Sequence, residues 1–434
     1  MKVFKDLCNF LISQLSKQVM ALNASTQKRQ SFIIFILGLL TALGPFSIDM
    51  YLPGFRDIAE NLHTTVATVA LSLSSYFIGI SAGQLLYGPL LDRHGRKKPL
   101  YAGLLVYILS SAACLVVNNI NALIVLRFIQ AVGSCAAAVG SMAMVRDLFG
   151  AKDSARVFSL LLLVVGASPM IAPTAGGYVI SLFGWRAVFV ILTIMGILIL
   201  LLTIFSLPES YQPNPGFSLK PGPILANFWS VLQNRQFLVY ALAGSLAFAG
   251  LFAYVSGSPI VFMDIYHVDK KVYGWIFAFL SIAFIGLSQF NTLLLKKYSS
   301  EQIAGVALTG QVIVAVVFLA SSIAGWTIPG LGLFHNVAPG LPQTIFFIFL
   351  FLGCLGFVNP NAIALSLAPF AKNAGSASAL MGALQMGMGA LASIGISVFS
   401  NGTATPMIAI MAVTSLASAL ILLAGKKVAR PKLA

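Results

Sequence analysis

Charged residues are scarce in this sequence. Only 9% of its 434 residues are Asp, Glu, Lys or Arg, and only 11 residues are acidic. A soluble globular domain has about a quarter charged residues and is roughly half apolar, whereas 59% of this chain is hydrophobic and its mean hydropathy is +0.94. A core of ordinary size could not bury so much apolar surface. The composition therefore excludes a soluble globular protein.

Residues that carry catalytic or metal chemistry are equally sparse. The sequence has four histidines and four cysteines, and Cys8, Cys114, Cys135 and Cys354 are scattered without metal-binding spacing. No disulfide framework is expected from such a pattern. The apolar runs contain no His/Asp/Ser constellation and no ring of charge like those that line channel filters. We therefore expect neither an enzyme nor a channel, and neither a metal nor a cofactor.

Continuous apolar runs of about 20 residues, the length that crosses a bilayer as a helix, recur along the whole chain. Backbone groups in lipid have to be satisfied within their own segment, so each run is expected to be helical. The sequence predicts an all-α integral membrane protein with twelve spans. Their approximate bounds are 32–52, 67–91, 99–118, 121–147, 157–180, 186–207, 237–262, 272–294, 302–324, 343–367, 376–400 and 405–425.

The proline-rich stretch 208–235 divides the spans into two sets of six. Its five prolines favour an extended linker over a further span. The predicted domains are a cytoplasmic tail at 1–31, one six-helix bundle at 32–207, the linker, a second six-helix bundle at 236–425 and a basic tail at 426–434. We expect the two bundles to be related by a pseudo-twofold axis along the membrane normal and to enclose a central cavity.

The first tail contains apolar residues at helical spacing, from Val3 to Val19. This spacing predicts an amphipathic helix on the membrane surface. In the alternative interpretation Met20 is the true start, and the residues before it are dispensable.

Lys and Arg are divided unevenly between the two sides of the predicted membrane. If the N-terminus is cytoplasmic, 21 of the 26 basic residues fall on that side, four fall on the other side, and Arg127 lies within a span. Such an excess follows the positive-inside rule. It predicts that both termini are cytoplasmic, and it explains the net charge of +15 without a nucleic-acid partner.

The densest charge between the two tails lies in the turn 88–100, which connects the second and third spans. Five of the seven residues at 92–98 are charged. Arg146 and Asp147 end the fourth span at the same membrane face, so an ion-pair cluster that latches two helix bundles is possible. A plain topological anchor is the alternative, although an anchor needs no glycines. The predicted cytoplasmic gate comprises Gly88, Asp92, Arg93, Gly95, Arg96, Lys97, Arg146 and Asp147.

Two ionisable residues, Asp49 and Arg127, lie well inside the predicted spans. A charge there costs several kcal/mol and usually marks function. Asp49 is about 6 Å below the end of the first span and Arg127 about 9 Å below the start of the fourth, so their depths are similar. We predict that both take part in proton coupling. The alternatives are that Asp49 only caps its helix and that Arg127 only anchors carbonyl groups.

The fifth span contains two prolines four residues apart and then a glycine pair, namely Pro169, Pro173, Gly176 and Gly177. Such residues bend a helix and allow another helix to approach closely. The pattern predicts either a hinge or a tight helix seam, with ordinary packing of small residues as the alternative.

Five segments together resemble the major facilitator superfamily, and within it the Bcr/CflA-type drug:proton antiporters. The turn 88–100 matches the loop signature G-x-L-x-D-R-x-G-R-[KR]-x-x-L, and 126–133 is similar to the proton-antiporter signature of the fourth span. The segments 166–177, 47–53 and 184–189 look like their counterparts in the Bcr/CflA group. The resemblance covers nearly the whole chain, although the specific motifs lie in the first half.

The resemblance implies a monomeric transporter of the bacterial inner membrane that exports small, neutral or lipophilic antimicrobial compounds in exchange for protons. Two alternatives stay open. One is export of a native metabolite such as a sugar, amino acid or nucleoside, which the polar Asn359 and Asn361 favour. The other is an uncoupled facilitator. Candidate residues for the wall of the substrate cavity are Tyr51, Tyr76, Phe77, Gln130, Phe252, Tyr254, Gln385, Met386 and Met388.

Overall fold

The computed structural model describes residues 30–214, 216, 219–324, 340–370 and 374–429, and these residues are helical almost throughout. Twelve helices are long and apolar enough to cross a membrane, and each coincides with one predicted span, so the predicted fold class is confirmed. The helices are α1 (30–49), α2 (Phe55–Asn61), α3 (Val66–His94), α4 (Lys97–Ala113), α5 (Ile120–Leu148), α6 (Ala151–Phe183), α7 (Arg186–Ser206), α8 (Pro221–Leu232), α9 (Arg235–Ser258), α10 (Lys270–Leu294), α11 (Ser300–Ala324), α12 (Leu341–Leu367), α13 (Ala374–Val398) and α14 (Thr405–Ala429). Short 3₁₀ segments follow α1 and α4, and α9 continues into a π-helical segment, Pro259–Ile265.

Polar residues at the ends of the apolar runs fix where several of these helices begin. The side chains of Thr65, Asn119, Asn234 and Asp269 each accept a hydrogen bond from a backbone N–H group in the first turn of α3, α5, α9 and α10 respectively. This interaction satisfies one of the free N–H groups that every helix has at its start. Polar capping and apolar length together therefore set the bounds of the spans.

The linker between the two halves is not extended throughout, as its prolines had suggested. Residues Pro221–Leu232 form the helix α8, which has Pro221 in its first turn. A proline at this position costs nothing because its missing N–H group would have had no partner within the helix. Phe228 and Val231 of α8 are buried against Phe237 and Leu380 of the second half. The prediction of an extended segment was therefore wrong for this part of the linker.

Two helix seams join the halves. In the first, α3 packs along α13, and in the second, α6 packs along α10. In the α3–α13 seam the hydroxyl groups of Ser74 and Ser393 lie 2.6 Å apart, and Ser81 donates to the carbonyl oxygen of Ala383 at 2.8 Å. We call the membrane face that carries residues 92–98 the turn face, and the other membrane face the opposite face. At the opposite face α2 and α10 are joined by an ion pair described below.

Some predicted features lie outside the described residues. These are the amphipathic helix predicted between Val3 and Val19, residues 325–339 between the ninth and tenth predicted spans, and the end of the basic tail beyond 429. The first part of that tail continues α14 as a helix up to Ala429.

Candidate functional site

Asp49 is the last residue of α1, and it is deeply buried. Only 5% of its surface is exposed, and its carboxylate forms no hydrogen bond or ion pair with any described residue. The 3₁₀ segment that follows begins after Tyr51 and has no side-chain cap. Asp49 therefore does not cap this turn, and a buried carboxylate is left without a compensating partner.

The polar neighbours of Asp49 belong to the second half. The hydroxyl groups of Tyr254 on α9 and Tyr273 on α10 lie within electrostatic range of an ionised Asp49. Tyr273 shares a hydrogen bond of 2.8 Å with Ser258, whereas the hydroxyl group of Tyr254 is buried without a partner. Asp49 thus lies at the boundary between the two halves and faces the second.

Arg127 is fully buried within the first half. Its guanidinium donates to the side-chain oxygen of Gln130 at 2.6 Å and to the backbone carbonyl of Ser47 at 2.7 Å. The rings of Tyr76 and Tyr51 lie 4.2 and 4.5 Å from its central carbon. Cation–π contact stabilises a desolvated guanidinium by roughly 2 kcal/mol. These groups form what we call the Arg127 cage.

Asp49 and Arg127 are not paired, although their helices touch where the sequence predicted. Arg127 binds α1 through the carbonyl of Ser47, two residues before Asp49, so the predicted similarity in depth is correct. The ion pairs found among the described residues include neither side chain. The reason is that successive helical residues point about 100° apart, so the Asp49 side chain faces the second half while Arg127 stays within the first.

The glycine pair of α6 lies directly beside the end of α1. A Cβ atom at Gly176 would collide with the backbone carbonyl of Met50, and one at Gly177 would lie 2.5 Å from the carbonyl oxygen of Lys270 on α10. Thr174 donates to the carbonyl of Gly274, also on α10, at 3.1 Å. Of the two predicted arrangements, a tight seam is therefore the one found here. The helix itself continues through both Pro169 and Pro173.

The charged turn forms an ion-pair cluster around the buried side chain of Arg96. Its guanidinium binds Asp147 at 2.7 Å and Asp92 at 2.9 Å. Burial alone would lower the pKa of Arg96, but the hydrogen bonds to Asp147 and Asp92 outweigh burial and raise that pKa above its usual value. Arg96 therefore stays protonated between the two carboxylates, where α3, α4 and α5 meet.

The start of the linker covers this cluster, which the sequence analysis did not foresee. The carboxylate of Glu209 accepts hydrogen bonds from the backbone N–H groups of Arg96 at 2.8 Å and Lys97 at 3.0 Å, at the start of α4. Ser210 donates to Asp147 at 3.0 Å, and the ring of Tyr211 lies 4.2 Å from the guanidinium carbon of Arg96. We call residues 209–211 the linker clasp. The sequence offers one indication of this contact, which is the acidic residue Glu209 in a chain with only 11 acidic residues.

These contacts correct the prediction of a latch between the two bundles. Every partner of Arg96 and Glu209 named above belongs to the first half or to the linker. Arg146 is exposed, and it is not a member of the ion pairs that Arg96 forms with Asp92 and Asp147. A Cβ atom at Gly88 would meet nothing within 4 Å, so the close packing expected of this glycine is not found. Gly95, with a φ of 81°, has the left-handed conformation that favours glycine.

Replacing Glu209 with glutamine tests the linker clasp. The variant loses the negative charge at the start of α4, where a carboxylate stabilises a helix by about 0.5–1 kcal/mol. We expect a lower midpoint of thermal unfolding for the purified protein in detergent, and a smaller difference at high salt. Glu60→Gln is the control, because its ion pair with Arg56 is exposed and such pairs contribute little. Equal midpoints for the two variants would contradict the clasp.

The residues proposed for the cavity wall do not form a single surface. Tyr51, Tyr76 and Gln130 are wholly buried in and around the Arg127 cage, so they were wrongly placed on the wall. Phe77 and Phe252 meet across the two halves with their ring centres 4.3 Å apart. Their contact closes the centre of the molecule between α3 and α9.

Uncharged amide groups form the polar interior of the second half. Gln385 of α13 donates to the side chain of Asn359 on α12 at 2.8 Å. Asn361 donates to the side-chain oxygen of Asn291 on α10 at 2.8 Å, and its own side-chain oxygen is buried without a partner. Met386 and Met388 lie half-buried beside Gln385 on α13. This side of the interior offers hydrogen bonds and polarisable apolar surface without a charge.

At the opposite face, an ion pair joins the two halves, and a cavity lies near it. Lys270 of α10 binds Asp57 of α2 at 2.6 Å, which joins the two halves there. A cavity of about 460 Å³ opens beside this pair, between Thr65 at the start of α3 and Asp264 and Gly402 of the second half.

Comparison with known proteins agrees with this architecture. The Major Facilitator Superfamily matches residues 34–393 of the chain. The uncharacterised MFS-type transporter YdgK of Bacillus subtilis is 34% identical over 407 residues, which cover 92% of this chain and 96% of YdgK. The bicyclomycin resistance protein homologue of Haemophilus influenzae is 32% identical over 383 residues, which cover 88% of this chain and 93% of that protein.

Solved structures extend the comparison to the fold. A bacterial homologue of the human lysosomal transporter Spinster, in an inward-facing and occupied conformation, superposes with a TM-score of 0.70 and 13% identity over 92% of this chain and 97% of that one. A D-xylose–proton symporter superposes with a TM-score of 0.69 and 13% identity over 90% of this chain and 96% of that one. At this identity the two structures share the fold alone.

Proposed function

Since the chain belongs to the Major Facilitator Superfamily, and is thus a multi-pass membrane transporter and not an enzyme, we propose that it exports small uncharged or lipophilic compounds from the cytoplasm in exchange for protons. The observation that carries this proposal is the buried carboxylate of Asp49, which has no hydrogen-bond or ion-pair partner among the described residues and lies at the boundary between the halves. Its protonation would remove a charge at the point where the halves must move.

Burial makes Asp49 suitable for carrying a proton. A carboxylate held away from water without a counter-ion is expensive in its ionised form. Proton binding relieves that cost, so the free energy of each arrangement of the halves depends on whether Asp49 is charged. Proton-driven exchange requires this dependence, because a proton gradient can drive the movement of the two halves only if the free energy of their arrangement changes when a proton binds. The tight seam at Gly176 places the moving helices next to this group.

We place the turn face in the cytoplasm of a bacterial cell, with both termini on that side and the protein in the inner membrane. The 21 basic residues assigned to that side and the four assigned to the other support this orientation. We also propose that the chain acts as a monomer, because both helix seams and both halves are contributed by a single chain.

The chemistry of the interior supports an uncharged substrate. The second half offers the amide pairs Gln385–Asn359 and Asn361–Asn291, and the rings of Phe77 and Phe252 meet between the two halves. A relative is named for bicyclomycin resistance, and the MdtL protein of Klebsiella pneumoniae, 28% identical over 357 residues that cover 80% of this chain and 83% of MdtL, is named for multidrug resistance. The amide pairs also favour the second candidate, export of a polar native metabolite.

Replacing Asp49 with asparagine is the test of proton exchange. We expect the wild-type protein in proteoliposomes to accumulate bicyclomycin in an acidic lumen, by about tenfold for each pH unit and each exchanged proton. Asp49→Asn should abolish this accumulation and leave downhill movement, because the side chain keeps its size but cannot bind a proton. Radiolabelled bicyclomycin and an imposed pH gradient provide the measurement.

The control is Asp269→Asn, since Asp269 caps α10 and asparagine caps a helix equally well. It should accumulate bicyclomycin like the wild-type protein. Uphill accumulation by Asp49→Asn would remove this residue from the coupling mechanism. A wild-type protein that only equilibrates bicyclomycin would be a facilitator, and one that ignores bicyclomycin but moves a sugar, amino acid or nucleoside would be a metabolite exporter.

A further inference from the structure

Tyr254 is a residue of the second half whose hydroxyl group has no hydrogen-bond partner among the residues that the structure describes. It lies on α9, only 1% of its surface is exposed, and its ring stacks on Phe277 with the centres 5.3 Å apart. A buried hydroxyl group without a hydrogen bond costs about 1–3 kcal/mol. Packing alone does not explain such a group, because phenylalanine would fill the same space without this cost.

The neighbouring tyrosine shows how the fold treats an ordinary buried hydroxyl group. Tyr273 of α10 has its hydroxyl group 2.8 Å from that of Ser258. Both tyrosines lie within electrostatic range of Asp49. The hydroxyl group of Tyr273 is therefore already hydrogen-bonded within the second half, whereas no described residue accepts a hydrogen bond from the hydroxyl group of Tyr254.

Among the described residues, the charged groups on the neighbouring helices are held by other contacts. On α5, Arg127 donates through its two terminal nitrogens to Gln130 and Ser47. Its Nε–H group is buried without a partner among the described residues, but the guanidinium is enclosed by the rings of Tyr51 and Tyr76 within the first half. On α6, the nearest residues of the seam are the small, uncharged Thr174 and Gly176. On α10, Lys270 is committed to Asp57.

We propose that the Tyr254 hydroxyl group donates a hydrogen bond to the ionised carboxylate of Asp49 at the stage of the cycle in which the proton has left. This inference rests on the proposed role of Asp49 in proton exchange. The bond would join α9 of the second half to α1 of the first. A neutral hydroxyl group binds a carboxylate roughly twice as strongly as it binds a neutral acid, so the bond forms with deprotonation and weakens with protonation. Tyr254 is thus a positioning residue that makes the arrangement of the halves depend on the proton.

Infrared titration of Asp49 tests this role without any substrate. The infrared absorption of the carbonyl stretch of protonated carboxylic acids is followed against pH in the purified full-length protein. The band of Asp49 is the one that is missing in the Asp49→Asn variant. Tyr254→Phe removes only the hydroxyl group. Since a hydrogen bond to the charged form favours that form, its loss should move the midpoint of the Asp49 titration to higher pH by about one unit. Tyr273→Phe is the matched control, and its midpoint should move by less.

The outcomes separate the inference from the proposed function. A Tyr254→Phe midpoint equal to that of the wild-type protein overturns the role of Tyr254, and so does a larger shift in Tyr273→Phe. Either result leaves proton exchange at Asp49 intact. If no band disappears in Asp49→Asn, then Asp49 does not take up a proton in this range, and both the inference and the proposed function fail. Circular dichroism at each pH checks that the Tyr254→Phe protein is folded. If it is not, Tyr254→Trp takes its place, because this variant also lacks the hydroxyl group and should show the same shift of the Asp49 midpoint.

Discussion

Replacing Arg127 with methionine should both destabilise the protein and stop transport. Methionine fills a similar length, but it leaves the carbonyl of Ser47 and the side-chain oxygen of Gln130 without their donor. Each unsatisfied buried acceptor costs about 1–3 kcal/mol, so we expect a loss of about 2–6 kcal/mol from these two contacts. The stacking of Tyr76 and Tyr51 on the guanidinium is lost as well.

A lysine at the same position separates charge from geometry. Arg127→Lys keeps the positive charge, but an ammonium group cannot reproduce the planar contacts with two acceptors and two rings. We therefore expect Arg127→Lys to resemble Arg127→Met more closely than the wild-type protein, both in the midpoint of thermal unfolding and in the accumulation of bicyclomycin. Arg56→Lys serves as the control because Arg56 has a single exposed partner. Wild-type transport by Arg127→Lys would show that charge alone matters and that the cage does not.

A substitution at Gly176 should have an effect of similar size for a different reason. Any Cβ atom there meets the backbone carbonyl of Met50, and a backbone cannot move aside as a side chain can. Overpacking of this kind costs about 1–3 kcal/mol. The displaced end of α1 also carries Asp49, so we expect Gly176→Ala to lower bicyclomycin accumulation severalfold, and Gly176→Val to abolish it.

Gly286 provides a matched control within the membrane. It lies inside α10, and a Cβ atom there would meet nothing within 4 Å. Gly286→Ala should leave transport unchanged and stabilise the helix by up to about 1 kcal/mol. Thermal unfolding and bicyclomycin accumulation are measured for all three variants. If Gly176→Ala matches Gly286→Ala in both measurements, the α6 seam does not control the position of Asp49.

Asp49 and Arg127 are conspicuous in the sequence, but the sequence does not show how their side chains are arranged. A charge within a span is conspicuous because lipid offers it no solvation. Which way a side chain points depends on the rotation of its helix against its neighbours, and a change of one residue turns it by about 100°. Hence the sequence allowed a pair, whereas the fold placed Arg127 among Tyr51, Tyr76 and Gln130 and turned Asp49 towards Tyr254.

The charged turn provides a second example. Its charges and Gly95 were recognisable, because five charged residues in seven need a reason and a positive φ favours glycine. Its partners Glu209 and Tyr211 are more than 100 residues away in the sequence, and nothing local indicates that the linker folds back onto it. The helix α8 was also missed. The prolines of the linker predicted an extended segment, whereas Pro221 stands at the first position of this helix.

The sequence by itself determined the twelve spans, the division into two halves and the family, because in lipid a long apolar run has to satisfy its backbone as a helix and charge has to remain in the loops or carry a function. Only the tertiary structure decided which side chains meet. The seams at Gly176 and Gly177, the cage around Arg127 and the unpartnered hydroxyl group of Tyr254 all arise from contacts between distant segments, which local pattern and composition do not encode.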